Sequence, residues 1–211
     1  PLFKEEKYYS GFDSFYEWKN HKFLLGTEFF YTKMSEVSYK SNIDPLTNKD
    51  YHQIISFTGD KNILKDGISR KSRAIYIQDE WSVTEPFTIT MGVRWDSYND
   101  VGNSVNPRIA GVYRVNDKNI LKMQYAKAFR PPTFFQMYLQ NNPVYKAIDN
   151  LKPEDIDTYE LSYIYNSYLD IFRVTLFNSK LKNLIGNDYS VSPAITRNIN
   201  AIETRGVEIE Y

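Results

Sequence analysis

Residues 87–96 decide the fold class, and they read FTITMGVRWD. Every second residue is apolar: Phe87, Ile89, Met91, Val93 and Trp95. The intervening positions are small or polar and include Arg94 and Asp96. This alternation predicts a β-strand with one apolar and one polar face. Unpaired charge is too costly for the dry interior of a small sandwich, and the other face is too apolar for water. A sheet that is apolar outside and charged inside is typical of an outer-membrane β-barrel wall.

Composition excludes several other classes of protein. The 211 residues include 26 Lys and Arg and 26 Asp and Glu, so a nucleic-acid partner would gain no support from net charge. The aromatic content of 16% favours strands and membrane interfaces. No stretch approaches the roughly 20 apolar residues of a transmembrane helix. Cysteine is absent, and His21 and His52 have no partners at metal-ligand spacing, so we expect no metal site and no cofactor.

The same alternation predicts an all-β protein, an antiparallel up-and-down transmembrane β-barrel. Its nine predicted strands cover residues 7–18, 22–39, 72–84, 87–100, 107–115, 120–130, 156–166, 171–186 and 199–211. Four connections are short, at 19–21, 85–86, 116–119 and 167–170, and three are long, at 40–71, 131–155 and 187–198. The connection at 101–106 is a short exception among the long ones. Short turns at one end and long loops at the other match the periplasmic and extracellular ends of such barrels.

Details of the strands support this orientation. Four aromatic residues lie within a few residues of a short turn and predict a girdle at that end of the barrel: Trp18, Trp81, Tyr113 and Tyr165. One residue does not fit, because Asp79 faces outwards between Ile77 and Trp81 in this register. Either a charge is tolerated near the turn end, or the register slips there. A short helix is predicted near residues 134–139 in the second long loop.

Three stretches in the middle of the chain carry a family resemblance. They are NPR at 106–108, YAKAFRPPT at 125–133, and NLKPE at 150–154 followed by DTYEL at 157–161. QDEW at 78–81 and TRGVE at 204–208 agree with them. In this order and spacing the set resembles the barrel signature of TonB-dependent outer-membrane receptors, over residues 72–211. Each motif by itself is weak, and the ordered set is specific.

The resemblance implies a barrel of about 22 strands, of which this chain supplies fewer than half. At about 9–11 residues per strand, the full barrel needs roughly 200–240 residues in strands alone. We therefore expect residues 1–211 to be part of the barrel domain, with the family's plug domain, its TonB-binding box and the last strands missing. For the parent protein the family implies multi-pass placement in the outer membrane, contact with its lipid, and energised import in which TonB acts through the plug.

Arginines at the barrel mouth are candidate ligand contacts. Arg94, Arg108 and Arg130 point inwards at the extracellular ends of their strands, near Asp96. Guanidinium groups stay charged and match the oxygens of carboxylates and catecholates, which suits an anionic ligand. The alternative is that these arginines pair with Asp96, Glu160 and plug residues and hold the wall together. Both roles are possible for different members of the set.

Aromatic residues in the loop 131–155 are further candidates. Phe134, Phe135, Tyr138 and Tyr145 suggest a platform for a flat ligand, because binding residues concentrate on loops. The alternative is that these side chains pack on one another. Haem receptors of this family typically carry a histidine in this region, and residues 133–149 contain none. The resemblance therefore implies a ferric siderophore as the small-molecule partner, with cobalamin or another small chelate as the next candidate.

Catalysis has no support in the sequence. It contains no glycine-rich phosphate loop, no nucleophile elbow and no histidine beside a candidate serine, so we expect no enzyme. Two other functional classes remain open. A passive outer-membrane channel shares the alternating strands, and a soluble β-sandwich ligand-binding module would use the aromatic face as its core.

Overall fold

Strands account for most of the computed structural model, which describes residues 2–148 and 150–211. Pro1, inside the predicted domain, and Asp149, inside the predicted loop 131–155, lie outside the described residues. The strands are β1 (Leu2–Trp18), β2 (His21–Ile43), β3 (Asp50–Phe57), β4 (Ile68–Thr84), β5 (Phe87–Tyr98), β6 (Gly102–Arg114), β7 (Asn119–Arg130), β8 (Tyr145–Lys146), β9 (Glu154–Asn166), β10 (Ile171–Lys182), β11 (Ile185–Asp188), β12 (Ala194–Asn198) and β13 (Ile202–Glu210). The helix α1 (Phe134–Tyr138) follows β7. In the part of the chain that the structure describes, no helix is long and apolar enough to cross a membrane.

One ten-stranded sheet has a main antiparallel path of nine strands in the order β1-β2-β4-β5-β6-β7-β9-β10-β13, and β3 is its tenth strand. The order follows the sequence, apart from β3, which pairs with the far end of β2, and the loop strands β8, β11 and β12. The predicted nine-stranded, up-and-down antiparallel sheet is therefore confirmed. A β-sandwich needs two sheets packed face to face. The soluble sandwich alternative is wrong, because the main strands form one continuous layer.

The alternation predicted from residues 87–96 extends across the sheet. Leu25, Ile77 and Val93 pair in one row on the apolar face. These side chains are between 41% and 50% exposed, although they are aliphatic. Such a surface is costly in water and suited to hydrocarbon. The opposite face carries charged residues such as Glu28, Arg94 and Asp96, so the polarity of the sheet is that of a barrel wall.

The ends of the sheet differ as the sequence predicts. Connections of two to four residues at one end are Lys19–Asn20, Glu85–Pro86, 115–118 and 167–170. The other end has long loops at 44–67, 131–153 and 183–201, and one tight turn at 99–101. The predicted strand 171–186 is wrong at its end, because Asn183 adopts a left-handed conformation with φ 54°. The chain turns there, and β11 joins a separate loop sheet with β12 and β8.

Asp79 faces outwards without a register slip. It pairs with Phe23 on β2 and with Met91 on β5, and the irregularity in β4 lies further on, between Ser82 and Thr84. The His21 Nδ1 atom lies 2.8 Å from Asp79 Oδ2, beside the turn between β1 and β2. Of the two explanations offered by the sequence, a charge tolerated near the turn end is therefore the correct one.

Two of the long loops pack on each other over the sheet end. Leu64 and Phe134 from these two loops are buried together with Met34 and Val37 of β2 and Ile68 of β4. Backbone hydrogen bonds join the loops as well, because the amide of Lys65 donates to the carbonyl of Tyr138 at 3.0 Å. The amide of Gln140 donates to the carbonyl of Ile63 at 2.9 Å. The loop 44–67 is therefore an organised part of the extracellular end.

A buried carboxylate organises the first half of the loop 44–67. The amide of Leu46 donates to Asp44 Oδ1 at 2.9 Å, and Lys61 Nζ lies 3.1 Å from Oδ2. The Tyr51 hydroxyl donates to the same Oδ2 at 3.1 Å. The hydrogen bond from Leu46, together with Lys61, holds the pKa of Asp44 well below its usual range. The side chain is therefore a charged acceptor at neutral pH and closes the turn that follows it.

An arginine–aspartate pair connects the sheet to the loop helix. Arg70 Nε donates to both carboxylate oxygens of Asp100, at 2.7 and 3.0 Å. The two side chains are only 14% and 6% exposed. The guanidinium also lies 5.1 Å from the ring centre of Phe134, within cation–π range. Arg70 therefore links β4, the turn after β5 and α1.

We expect Asp100→Asn to loosen the loop 131–153, because it leaves the buried Arg70 guanidinium without its counter-charge. Limited proteolysis with mass-spectrometric mapping should show faster cleavage in this loop, by roughly fivefold or more. The control is Asp117→Asn in the exposed turn at the opposite end of the sheet. Equal cleavage rates in wild type and Asp100→Asn would show that the pair does not hold the loop.

A glycine on the inward face allows one side chain to cross a strand. Asp13, Gly26 and Tyr76 occupy one row of the sheet, on β1, β2 and β4. The Tyr76 hydroxyl donates to the Asp13 carboxylate across the glycine. A Cβ atom at Gly26 would collide with both side chains. The glycine is therefore needed for a close approach that fastens β1 to the sheet.

We expect Gly26→Ala to lower the free energy of unfolding by about 1–3 kcal/mol, the usual cost of forcing extra volume into a filled site. Urea unfolding in detergent, followed by tryptophan fluorescence, measures this change. The matched control is Gly111→Ala, because a Cβ there would meet only Phe87, at 3.5 Å. Equal losses in the two variants would assign the effect to strand propensity rather than to the Tyr76 contact.

Candidate functional site

The inward face of the sheet contains a concave groove between β2 and β7. Its volume is about 480 Å³. The polar side chains of the inward face around it are Tyr76, Gln78, Arg94, Asp96, Asn106 and Arg108. The groove therefore collects two of the three predicted arginines on one wall. Arg130 does not line it.

Arg94 is held by two carboxylates. Its Nε atom lies 3.0 and 3.1 Å from the oxygens of Asp96, and its Nη2 atom lies 2.6 Å from Glu28 Oε2. Asp96 is only 3% exposed and also accepts a hydrogen bond from Asn106 at 3.2 Å. The Arg94 guanidinium lies 5.3 Å from the ring centre of Tyr76. Removing Arg94 would leave a buried carboxylate without a counter-charge, so this arginine supports the wall.

Arg108 lies midway along β6, so its predicted place at the extracellular end of the strand is wrong, and it differs from Arg94 in its electrostatic surroundings. It is exposed on the inward face, and its guanidinium donates to the side-chain oxygen of Gln78, which is neutral. Among residues 2–148 and 150–211, no carboxylate forms a salt bridge with it. Its register partner is Gly92, where a Cβ would lie 3.2 Å from Arg108 Nε. The glycine leaves room for the arginine, whose charge remains available to a ligand.

Arg130 lies at the end of β7 and belongs to the loop base. Its Nε atom lies 2.6 Å from Glu154 Oε2, and Glu154 is 4% exposed. The other oxygen of Glu154 accepts a hydrogen bond from the amide of Ile185 at 2.8 Å. Arg130 therefore balances a buried carboxylate that joins β9 to β11. More than half of its own side chain is exposed.

The four loop aromatics contact three different groups of residues. Phe134 is buried in the loop cluster, and the half-buried ring of Tyr138 lies 5.9 Å from it. Phe135 is 40% exposed, with its ring 6.1 Å from Phe3 on β1. Tyr145 packs edge-on against Tyr189 of the third loop at 6.4 Å. Phe134 thus belongs to the buried cluster and Tyr138 packs against it, Phe135 is exposed, and Tyr145 is half-buried against the third loop.

Sequence analysis missed Arg70 and Asp100 as the residues that position α1. Arg70 fell inside the predicted loop 40–71, but β4 begins at Ile68. Alternation of Ile68, Arg70 and Ser72 could have extended the strand. No pattern in the sequence could have paired Arg70 with a carboxylate 30 residues away. In the part of the chain described here, no group of three or more potential metal-ligating residues lies together.

Curated relatives include receptors and transporters of Gram-negative bacteria. The chain is 26% identical over 176 residues to the iron-regulated outer membrane virulence protein of Vibrio cholerae, a match that covers 72% of this chain and 26% of that protein. It is 30% identical over 131 residues to the vitamin B12 transporter BtuB of Vibrio cholerae, covering 61% of this chain and 20% of BtuB. The chain thus spans about a quarter of the length of these relatives.

Solved structures share the fold. The siderophore receptor PirA from Pseudomonas aeruginosa aligns with a TM-score of 0.79 at 16% identity, over 98% of this chain and 39% of PirA. The ferric enterobactin receptor PfeA from the same organism, in a mutant complexed with enterobactin, aligns at 0.73 and 18% identity, over 98% of this chain and 33% of PfeA. The sequence profile described as TonB dependent receptor-like, beta-barrel matches residues 3–211. The chain therefore belongs to the TonB-dependent receptor family, and its sheet is part of a β-barrel wall in the outer membrane.

Proposed function

We propose that the protein carrying this chain binds a ferric siderophore, or a similar small chelate, at its extracellular end. Import then uses energy transduced through TonB, by way of the family's plug domain. Family membership supports TonB-dependent transport. The names of relatives support iron, because they include an iron-regulated protein, a probable siderophore receptor from Acinetobacter baumannii and the ferrienterobactin receptor of Escherichia coli.

The observation that carries the proposal is the uncompensated charge of Arg108 on the groove wall. Ferric complexes of catecholate and carboxylate siderophores present anionic oxygens. A guanidinium that already lacks a carboxylate partner can bind such oxygens without breaking an ion pair, and it does so with paired hydrogen bonds. Arg94 and Arg130 would first have to leave Asp96 and Glu154, which are buried.

The seven predicted ligand residues therefore divide into two roles. We assign ligand contact to Arg108, to the exposed ring of Phe135, and to Tyr145, which packs against the third loop and outside the buried cluster. We assign a structural role, in holding the wall and the loops, to the other four residues: Arg94, Arg130, Phe134 and Tyr138. Burial raises the pKa of the Tyr138 hydroxyl, so that group stays neutral inside the loop.

Cobalamin is the second candidate ligand. The observation in its favour is the 30% identity to BtuB of Vibrio cholerae. Cobalamin carries less negative charge than a ferric tris-catecholate, so the charge of Arg108 would add less to its binding affinity. Binding of both ligand classes to the wild-type protein, and their response to Arg108→Ala, separates the two candidates.

We expect Arg108→Ala to weaken binding of a ferric catecholate by about tenfold or more, because it removes charge-assisted hydrogen bonds. Binding is measured by quenching of intrinsic fluorescence in the intact, detergent-purified protein. The matched control is Arg114→Ala, an exposed arginine on the same strand beside the short turn at 115–118. Unchanged affinity in a folded Arg108→Ala protein would remove Arg108 from the binding site.

We expect Arg94→Ala to affect folding, in contrast to the effect of Arg108→Ala on binding. We expect a loss of folded barrel, because Asp96 is left buried without its partner, at a cost of about 3–5 kcal/mol. The shift in electrophoretic mobility on heating, which distinguishes folded from unfolded barrels, measures the folded fraction. A fully folded Arg94→Ala protein with weakened ligand binding would instead assign Arg94 to the ligand.

The dependence of uptake on an energy source distinguishes the proposed function from that of a passive channel. We expect uptake of a radioactive ferric chelate by cells to stop when the proton gradient across the inner membrane is collapsed, and binding to cells to persist. A passive channel would keep its rate of uptake when the gradient is collapsed. Uptake that continues at its original rate without the gradient would support the passive alternative.

A further inference from the structure

We propose that the lipid-facing side of β2 and β4 binds a phosphate-bearing lipid of the outer leaflet, at a cluster of Lys33, Lys71 and Arg73. These three residues, the cation cluster, lie at the extracellular end of the outward face. The site is outside the barrel, so the proposal does not depend on which ligand the interior binds. The strand register, the charge balance and an adjoining groove support it.

Strand register places the cation cluster on the apolar side of the sheet. Arg73 and Lys71 continue the outward alternation of Ile77 on β4. They are separated by two residues, which is roughly 7 Å along a strand. Lys33 pairs with Ser69, two residues before Lys71, so Lys33 and Lys71 are diagonal neighbours at roughly 7–8 Å. The long side chains of the cluster can therefore reach one phosphate group.

The depth of the cluster matches the outer edge of the bilayer. Trp81 lies on the same face of β4, close to the short turn Glu85–Pro86 at the periplasmic end. Lys71 lies ten residues before Trp81, and a membrane-spanning strand needs about 9–11 residues. A basic side chain costs little at the membrane interface. Lys71 is therefore placed at the headgroups of the outer leaflet.

The charge of the cluster is open to an external anion. Among residues 2–148 and 150–211, no salt bridge joins Lys33, Lys71 or Arg73 to a carboxylate. Glu6 lies opposite Lys33 in the register, but it pairs with Lys4 Nζ at 3.0 Å. The side chains of Lys71 and Arg73 are exposed, so a lipid headgroup can reach both of them.

Two other lysines at the same end of the outward face are neutralised. Lys127 Nζ on β7 lies 3.4 Å from Asp155 Oδ1, and Lys182 Nζ on β10 lies 2.7 Å from Asp157 Oδ2. These pairs leave no net charge for a lipid phosphate. The cation cluster therefore differs from the rest of this face, which favours one specific site over a general attraction to anionic lipid.

An apolar groove of about 540 Å³ adjoins the cluster on the side of the membrane interior. Its outward lining includes Phe12, Phe29, Ile75 and Trp95, together with Arg73 itself. These four apolar side chains are between 36% and 70% exposed. Because the groove is apolar and ends at a guanidinium, it has the chemistry to hold an acyl chain that is attached to a phosphate.

The lipid class follows from charge. A phosphate accepts charge-assisted hydrogen bonds from lysine and paired hydrogen bonds from arginine. Ser97 lies opposite Arg73 on β5 and adds a hydroxyl donor in the same row. A zwitterionic headgroup carries its own ammonium, which the cluster would repel. A free phosphate ion would leave the groove unfilled. A lipid with a phosphate monoester is therefore the occupant that fits both the cluster and the groove.

Native mass spectrometry of the intact, detergent-purified protein tests the proposal. Dioleoyl phosphatidic acid, a phosphate monoester, is compared with dioleoyl phosphatidylcholine, which has the same acyl chains. We expect the wild-type protein to retain about tenfold more phosphatidic acid, because each basic residue near the membrane surface strengthens binding of anionic lipid. The double variant Lys71→Gln/Arg73→Gln should lose this preference. The matched control Lys182→Gln should keep it, because Lys182 lies at the same end of the outward face but pairs with Asp157.

Heat-dependent electrophoretic mobility shows whether each variant is folded. If the double variant is not folded, the wild-type protein is tested with the dimethyl ester of the same phosphatidic acid. This ester has no negative charge, so it should be retained no better than phosphatidylcholine, and equal retention of the ester and the acid would overturn the proposal. Displacement of phosphatidic acid by inorganic phosphate would also overturn it, because the cluster would then be a site for a free anion.

Three further results would contradict the proposal. They are equal retention of phosphatidic acid and phosphatidylcholine by the wild-type protein, a preference that survives in a folded double variant, and an equal loss of preference in Lys182→Gln. The last result would mean that lipid retention follows the total charge of the outward face rather than the cation cluster.

Discussion

The rest of the structure depends on one constraint, the satisfaction of backbone hydrogen bonds inside a lipid bilayer. No water reaches the hydrocarbon region, so each strand there must pair with a neighbour on both sides. Within the main sheet each interior strand pairs with the antiparallel strand on either side, whereas β1 and β13 each pair on one side only. Since the pleat sends alternate side chains to opposite faces, the same pairing produces an apolar outer surface and a polar inner one.

Charged side chains on the inner surface need counter-charges, and the three arginines differ in whether they have a carboxylate partner. Arg94 is shared between Glu28 and Asp96, and Arg130 neutralises Glu154. Among the described residues, Arg108 meets only the neutral amide of Gln78. Three arginines that look equivalent in the sequence therefore have different electrostatic surroundings, and the proposed function assigns them different roles on that basis. Asp79 shows a related contrast on the outer face, where one oxygen is paired and the other is buried without a hydrogen-bond partner among the described residues.

The long loops add a second layer of organisation at the extracellular end. The Arg70–Asp100 pair holds α1 against the end of the sheet. Leu64 and Phe134, from two different loops, are buried in one cluster. The third loop joins through the pairing of β12 with β8. These contacts connect segments that are far apart in the chain. Loop residues that would be mobile alone are therefore positioned over the barrel mouth by contacts with one another.

The sequence by itself determined the nine strands along the main sheet, the two faces, the sidedness of the turns and the family motifs, because strand alternation and turn chemistry are local properties. It did not predict the short strands β3, β8, β11 and β12. It also placed the three arginines and Asp79 on their correct faces. Only the tertiary structure decided which arginine is free, because each partner comes from another strand, as Glu28 does for Arg94. It also decided that Asn183 ends β10 and that Phe134 is buried, since both depend on how the loops pack. A local sequence pattern does not show which distant residues will pair. The surroundings of the site residues depend on such pairs.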